Sequence, residues 1–194
     1  MKYMDYEVTE HVALMTFNRP ERLNAAGQQM FADLSEALLR FEADGEARVA
    51  ILTGKGRAFC AGADLKELGE RGAIKHPHRR RDWFGFAKVS KPVIAAINGF
   101  AYGGGFFNAI FCDIRIAAES ATFSIAEINR GRFGSVHVIP QQGIPYCILM
   151  ELGLGEVLTA RRACQAGLVN FVVPDGDLLP AAQAMARRIA GLSL

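Results

Sequence analysis

Asn98-Gly99-Phe100-Ala101-Tyr102-Gly103-Gly104-Gly105-Phe106-Phe107 is the stretch around which this chain is organised. The apolar run Pro92-Val93-Ile94-Ala95-Ala96-Ile97 precedes it and reads as a buried strand. Asn108-Ala109-Ile110-Phe111-Cys112 follows and continues as a helix. Strand, triple glycine, helix brings bare backbone to a helix N-terminus. There the first N–H groups have no partner inside the helix, and the dipole favours negative charge. Without Cβ atoms a ligand can approach the main chain closely. Such a place suits a bound anion, or a carbonyl oxygen that becomes negative during reaction. Glycines that merely let a helix pack tightly on a sheet give the same pattern.

A second stretch narrows the choice. Ile51-Leu52-Thr53-Gly54-Lys55-Gly56-Arg57-Ala58-Phe59-Cys60-Ala61-Gly62-Ala63-Asp64-Leu65 reads as strand, glycine turn and a small-residue bend into another helix. Asp64 suits the first turn of that helix electrostatically. The bend exposes the N–H of Ala63. Two such bends on neighbouring strands would aim two donors at one oxygen, which is the geometry of an oxyanion hole.

These stretches belong to an ordered set that covers nearly the whole chain. Asn18-Arg19-Pro20-Glu21-Arg22-Leu23-Asn24-Ala25 comes first, and Phe59-Cys60-Ala61-Gly62-Ala63-Asp64-Leu65 second. Ile97-Asn98-Gly99 with Gly103-Gly104-Gly105 follows, then Cys112-Asp113-Ile114, Thr122-Phe123 with Glu127, and Gly167-Leu168-Val169-Asn170. The set resembles the crotonase superfamily, the enoyl-CoA hydratase/isomerase family. The resemblance implies an α/β crotonase-like fold of ββα repeats with a spiral, superhelical core. It implies one domain over residues 1–194 with a truncated C-terminal helical region.

The resemblance also assigns roles. The backbone N–H groups of Ala63 and Gly104 are the implied oxyanion donors, and Glu127 the implied acid/base. Arg22 and Leu23 match the turn that meets the nucleotide end of coenzyme A. Ala61, Asp64 and Leu65 match the bend beside its adenine and pantetheine. The implied substrate is an acyl-CoA thioester, so coenzyme A arrives with the substrate and no separate cofactor is expected. A homotrimer or dimer of trimers is implied as well. Family hydratases hold one water between two glutamates, and the first of these falls here on Phe107. A phenyl ring can neither hold that water nor move a proton. One-base double-bond migration therefore fits better than two-acid hydration. Hydration by Glu127 alone or with His137 or Asn129, decarboxylation, thioester hydrolysis, and acyl-CoA binding without turnover are the alternatives.

Taken without the resemblance, Glu127 reads as an exposed loop glutamate and Arg22 as a solvated surface arginine, and it is the Thr122-Phe123…Glu127 match that turns the first reading around; the functional readings have a physical basis as well. Glu127 lies between Ala126 and Ile128, neighbours that favour a partly desolvated carboxyl suited to proton transfer. A guanidinium such as Arg22 suits phosphate. Rival readings lack their signatures. The order Gly99, Gly103, Gly104, Gly105 is not the dinucleotide fingerprint, and Gly54-Lys55-Gly56 lacks the P-loop spacing. Ser135 and His137 lie close together, but no nucleophile elbow surrounds the serine.

The whole chain sets outer bounds. With 51% hydrophobic residues and a mean hydropathy of +0.13, it can bury a substantial core. A net charge of +2 argues against broad nucleic-acid binding. No apolar run reaches the ~20 residues of a spanning helix, and residues 1–7 carry no apolar signal region, so no membrane role and a cytoplasmic location are expected. Cys60, Cys112, Cys147 and Cys164 show no CxxC spacing and read as buried free thiols. His76 and His78 lack a third ligand at useful spacing, so no metal is expected. The run His76-Pro77-His78-Arg79-Arg80-Arg81 reads as a solvated loop or helix start, and Trp83, Phe84 and Phe86 as core or pocket wall.

Periodicity supplies the elements. Val12 to Phe17 reads as a strand ended by Asn18-Arg19-Pro20. Met30, Phe31, Leu34, Leu38 and Phe41 recur at helical spacing from Gln28 until Asp44-Gly45. Val49 to Leu52, Asp113 to Ala118, Thr122 to Ser124 and Phe171 to Pro174 read as extended pieces. Tyr146 to Leu152 and Ala181 to Ala190 read as helices.

Overall fold

A computed structural model describes residues 1–71, 85–131 and 143–192. The chain opens with a hairpin, β1 (Met4–Thr9) and β2 (Val12–Phe17), joined by Glu10 and His11 in the left-handed region. Helix α1 (Gln28–Ala43) leads to β3 (Val49–Gly54) and β4 (Ala58–Cys60), then to α2 (Leu65–Arg71). The pattern repeats as β5 (Val93–Ile97), β6 (Phe100–Tyr102) and α3 (Gly104–Phe111). It repeats again as β7 (Ile114–Ala118), β8 (Thr122–Ser124) and, after a 3-10 turn over Ala126–Arg130, α4 (Tyr146–Gly153). The short β9 (Leu158–Thr159), α5 (Ala160–Gln165), β10 (Phe171–Val173) and α6 (Leu178–Ala190) complete it.

Each repeat puts its first strand in one sheet and its second in another. The larger sheet runs β1-β2-β3-β5-β7-β10, parallel except for the β1–β2 hairpin. The smaller runs β4-β6-β8-β9. This is the expected ββα arrangement, and successive glycine bends stack along one edge because successive second strands are neighbours.

Alternation explains why the strands read as unbroken apolar runs. On β3, Ala50 and Leu52 join the core shared with α1, while Val49 and Ile51 join a second core under α6. On β5, Ala95 and Ile97 face the first core and Ile94 and Ala96 the second. Both faces are covered, so both are apolar, and the one polar side chain on β3, Thr53, is satisfied by donating to Ala96 O at 2.8 Å. Helix α1 buries Met30, Phe31, Leu34, Leu38 and Phe41 as its spacing predicts. It also buries Asp33, whose carboxylate accepts from the N–H groups of Lys2 (2.8 Å) and Tyr3 (2.6 Å), tying down the chain start.

Two cations seal helix ends in this frame. The ammonium of Lys91 donates to the carbonyls of Phe41, Asp44 and Ala47 at 2.7–3.0 Å, closing the C-terminus of α1. Arg115 donates to Ile110 O and Cys112 O at the end of α3, and to Leu168 O at 2.6 Å. Burial holds its guanidinium below the usual arginine range, although the neighbouring Asp113 pulls the other way. Arg115→Met is expected to cost about 2–3 kcal/mol, since it leaves carbonyls without a donor in a half-buried place. Urea unfolding measures this; a loss below about 0.5 kcal/mol would show that water replaces the guanidinium freely.

The cysteine expectation holds for half of the set. Cys60 and Cys112 are buried, and burial pushes the Cys60 thiol up to about 12 and Cys112 higher still. Cys164 is half-buried and Cys147 is exposed. Helix α4 is short, and Cys147 falls on the face turned from the core, beside the exposed Tyr146.

Candidate active site

The bend after β4 is stitched to the turn before α1. Ala61 N–H donates to Leu23 O (3.0 Å), Ala26 N–H to Gly62 O (2.7 Å), and Asp64 N–H to Ala26 O (3.0 Å). The last two bonds form an isolated parallel bridge around Ala63. Backbone N–H groups alternate sides along an extended segment. The N–H of Ala63 therefore points away from Ala26, and no backbone acceptor among the described residues takes it.

The glycine stretch supplies the other wall. Gly103 sits at φ +49, a conformation that side chains resist, and its N–H donates to Ser124 O (2.9 Å). The first bond across the start of α3 runs from Phe107 N–H to Gly103 O (3.1 Å). The N–H of Gly104 precedes that bond and is one of the helix's orphan donors. Gly62 and Gly103 touch: a Cβ on Gly62 would stand 2.9 Å from Tyr102 O and 3.7 Å from Gly103 Cα. A Cβ on Gly105 would overlap the carbonyl oxygen of Cys60. Only glycine lets these two bends lie so close.

Glu127 closes the group. It lies in the 3-10 turn that follows β8, and its Oε1 is 3.0 Å from where a Cβ on Gly103 would be. Its Oε2 is shut off from solvent. The carboxyl thus lies over the glycine stretch, although its residue is 24 positions further along, because β6 and β8 are paired neighbours. Phe107 is 2% exposed on the first turn of α3, its ring edge-on to Phe106 at 5.7 Å. Phe31 of α1 approaches Gly104, with Cζ 3.7 Å from a Cβ built there.

Of the remaining expected residues, Arg22 and Asp64 line a cleft whose walls include none of Ala63, Gly104 and Glu127. This cleft, about 640 Å³, carries the cations Lys2, Arg19, Arg22 and Lys66 and the acids Asp64 and Glu67. Arg22 is exposed and Leu23 half-buried at φ +52, ending a 3-10 turn over Pro20–Arg22. Ala61 is half-buried, and Leu65 is 49% exposed at the start of α2. Asp64 is committed to the protein itself. Its carboxylate accepts from Arg19 Nη1 at 2.7 Å and from the N–H groups of Lys66 and Glu67, capping α2. Burial opposes its charge, but the bond from Arg19 and those from α2 outweigh it and hold the carboxyl below the usual range. His76, His78, Arg79, Arg80, Arg81, Trp83, Phe84, Ser135 and His137 lie outside the described residues.

Sequence reasoning passed over two members of the site's frame. Arg19 and Asn24 appeared only as parts of a motif, yet they pin the bend from both ends. Asn24 is fully buried at φ +55, an uncommon conformation for a residue with a side chain. Its amide bonds Arg19 N–H, Lys55 O and Ala58 O. The available signal was a polar residue directly before the Ala25-Ala26 pair.

Known proteins share both sequence and architecture with this one. The chain is 38% identical over 192 residues to (E)-benzylidenesuccinyl-CoA hydratase of Thauera aromatica, covering 95% of this chain and 75% of that one. It is 40% identical to a probable mitochondrial enoyl-CoA hydratase of Dictyostelium discoideum, covering 94% and 68%. A crystal structure of enoyl-CoA hydratase from Mycobacterium tuberculosis H37Rv superposes with a TM-score of 0.88 at 36% identity, covering 97% and 76%. The family model described as enoyl-CoA hydratase/isomerase matches residues 7–193. With that span and those identities, the chain belongs to the enoyl-CoA hydratase/isomerase family.

Proposed function

We propose that this protein processes acyl-CoA thioesters by stabilising a thioester enolate between the N–H groups of Ala63 and Gly104, with Glu127 moving the proton. The observation that carries the reading is the contact of the two bends at Gly62 and Gly103, with the Glu127 carboxyl over the same glycine. Names of similar proteins support the substrate class: each is called a hydratase of a CoA thioester.

On a 3-enoyl thioester, Glu127 takes a proton from C2, between the carbonyl and the double bond. The electron pair spreads onto the thioester oxygen, and the two N–H donors hold that charge. Glu127 then returns the proton to C4, and the double bond moves to C2–C3. Donors fixed in place before reaction stabilise the dienolate more than the neutral thioester; one such donor is worth ~3 kcal/mol. The cationic cleft would take the nucleotide end, with Arg22 on phosphate. Coenzyme A comes with the substrate, and no resident cofactor enters the cycle.

Phe107 favours isomerisation over hydration. Two-acid hydration needs a second carboxyl to hold the water, and phenylalanine stands at the matched position. Hydration by Glu127 alone is the second reading, favoured by the names of the relatives. A 3-enoyl-CoA and crotonyl-CoA, each followed by mass spectrometry and by the conjugated-enoyl absorbance, separate the two. Isomerisation is expected to exceed water addition by on the order of tenfold or more, about 1.4 kcal/mol in barrier. Water addition at an equal or higher rate would overturn the role given to Phe107.

A further inference from the structure

The bend that carries Ala63 has two ends, and both are fastened to one turn. Strand β4 leads in, and Asn24 Nδ2 holds it through Ala58 O at 2.7 Å. Helix α2 leads out, and Arg19 holds it through Asp64. Arg19 Nη1 donates to Asp64 Oδ2 at 2.7 Å and to Ala25 O at 3.2 Å. Its guanidinium also lies over the Tyr3 ring, 4.9 Å from the centroid, and its side chain is only 16% exposed against 9% for Asp64. An ion pair this shielded holds a fixed geometry, unlike exposed pairs that exchange with water. Asp64 is the residue next to Ala63, and its own N–H bonds Ala26 O, so the pair fixes the peptide plane adjoining the donor.

We propose that Arg19 is a positioning residue for catalysis: through Asp64 and Ala25 it sets the direction of the Ala63 N–H. This rests on the oxyanion reading above and adds to it the side chains that aim the donor. A preorganised donor loses most of its value when its angle drifts, since a misplacement near 1 Å can cost about a hundredfold. Arg19 also lines the cationic cleft, so contact with the nucleotide is the competing explanation for its presence.

Truncating the substrate separates the two. Arg19→Gln and Asp64→Asn are compared with the unaltered protein on one acyl group carried by coenzyme A and by pantetheine, which lacks the nucleotide. The carbonyl stretch of a bound 13C-labelled thioester is read alongside. Expected for both variants is a kcat lower by about 10- to 100-fold on both thioesters, with a reduced carbonyl shift. Arg19→Lys, which keeps a cation opposite Asp64, is expected to recover a measurable part of the lost kcat. Asp64→Asn is isosteric and still accepts from the N–H groups of Lys66 and Glu67. It carries the test if Arg19→Gln does not fold. A loss confined to KM for the coenzyme A thioester would make Arg19 a nucleotide contact and overturn the proposal. So would an unchanged carbonyl shift in both variants. Absence of any shift in the unaltered protein would instead sink the oxyanion reading itself.

Discussion

Glu127→Gln is expected to lower kcat by about 10²–10⁴-fold while acyl-CoA binding stays within a few-fold. The amide matches the carboxyl in shape, so its approach to Gly103 and the backbone around it are kept. What it loses is the proposed ability to take a proton from C2 and give it back. The proposed oxyanion donors are main-chain groups of Ala63 and Gly104, which the change leaves in place. Residual turnover above the uncatalysed rate is therefore expected. Steady-state kinetics with calorimetric titration of the thioester tests this. Undiminished turnover would remove Glu127 from the mechanism, and a parallel collapse of binding would show that the side chain supports the site's shape instead.

Gly105→Ala is the second large effect, and it acts on stability. A methyl group there would overlap the Cys60 carbonyl oxygen and lie 2.8 Å from both Cys60 C and Cβ. These are atoms of a buried strand, so neither a rotamer change nor a surface adjustment relieves the clash. Overpacking of this kind costs typically 1–3 kcal/mol, and the rigid backbone partner places this case at about 3 kcal/mol. Any relief must move β4 against α3, which shifts the Ala63 bend away from Gly104 and, on the proposed mechanism, is expected to lower kcat in the protein that still folds. Gly45→Ala is the control: nothing lies within 4 Å of its Cβ position, and a change within about 0.5 kcal/mol is expected. Denaturant titration of the two variants decides it, and a Gly105→Ala protein as stable as the control would refute the packing account.

Much of the fold was legible because its signals are local. The spacing of Met30, Phe31, Leu34, Leu38 and Phe41 marks α1 whatever it packs on. Runs such as Val93 to Ile97 mark strands buried on both faces. β4 and β6 escaped notice, since three residues are too few to show a period of two. β1 escaped as well: it is an edge strand with Met4 alone buried, and its residues alternate weakly. Among the candidate site residues, the glycine bends and Glu127 belong to an ordered motif, and the structure brings the Glu127 carboxyl close to Gly103.

The sequence by itself determined the longer strands and helices, where bare backbone stands at a bend, and which acid the ordered motif pairs with it. It determined these because periodicity, chain stiffness and the absence of a Cβ are properties of neighbours in the chain. Only the tertiary structure decided that Gly62 meets Gly103, that Glu127 lies over them, and that Arg19 reaches Asp64 across 45 positions. Those are consequences of strand order. Pairing β4 with β6 and β6 with β8 brings distant bends within a few ångströms, and a one-dimensional pattern carries no record of which edge a strand will choose.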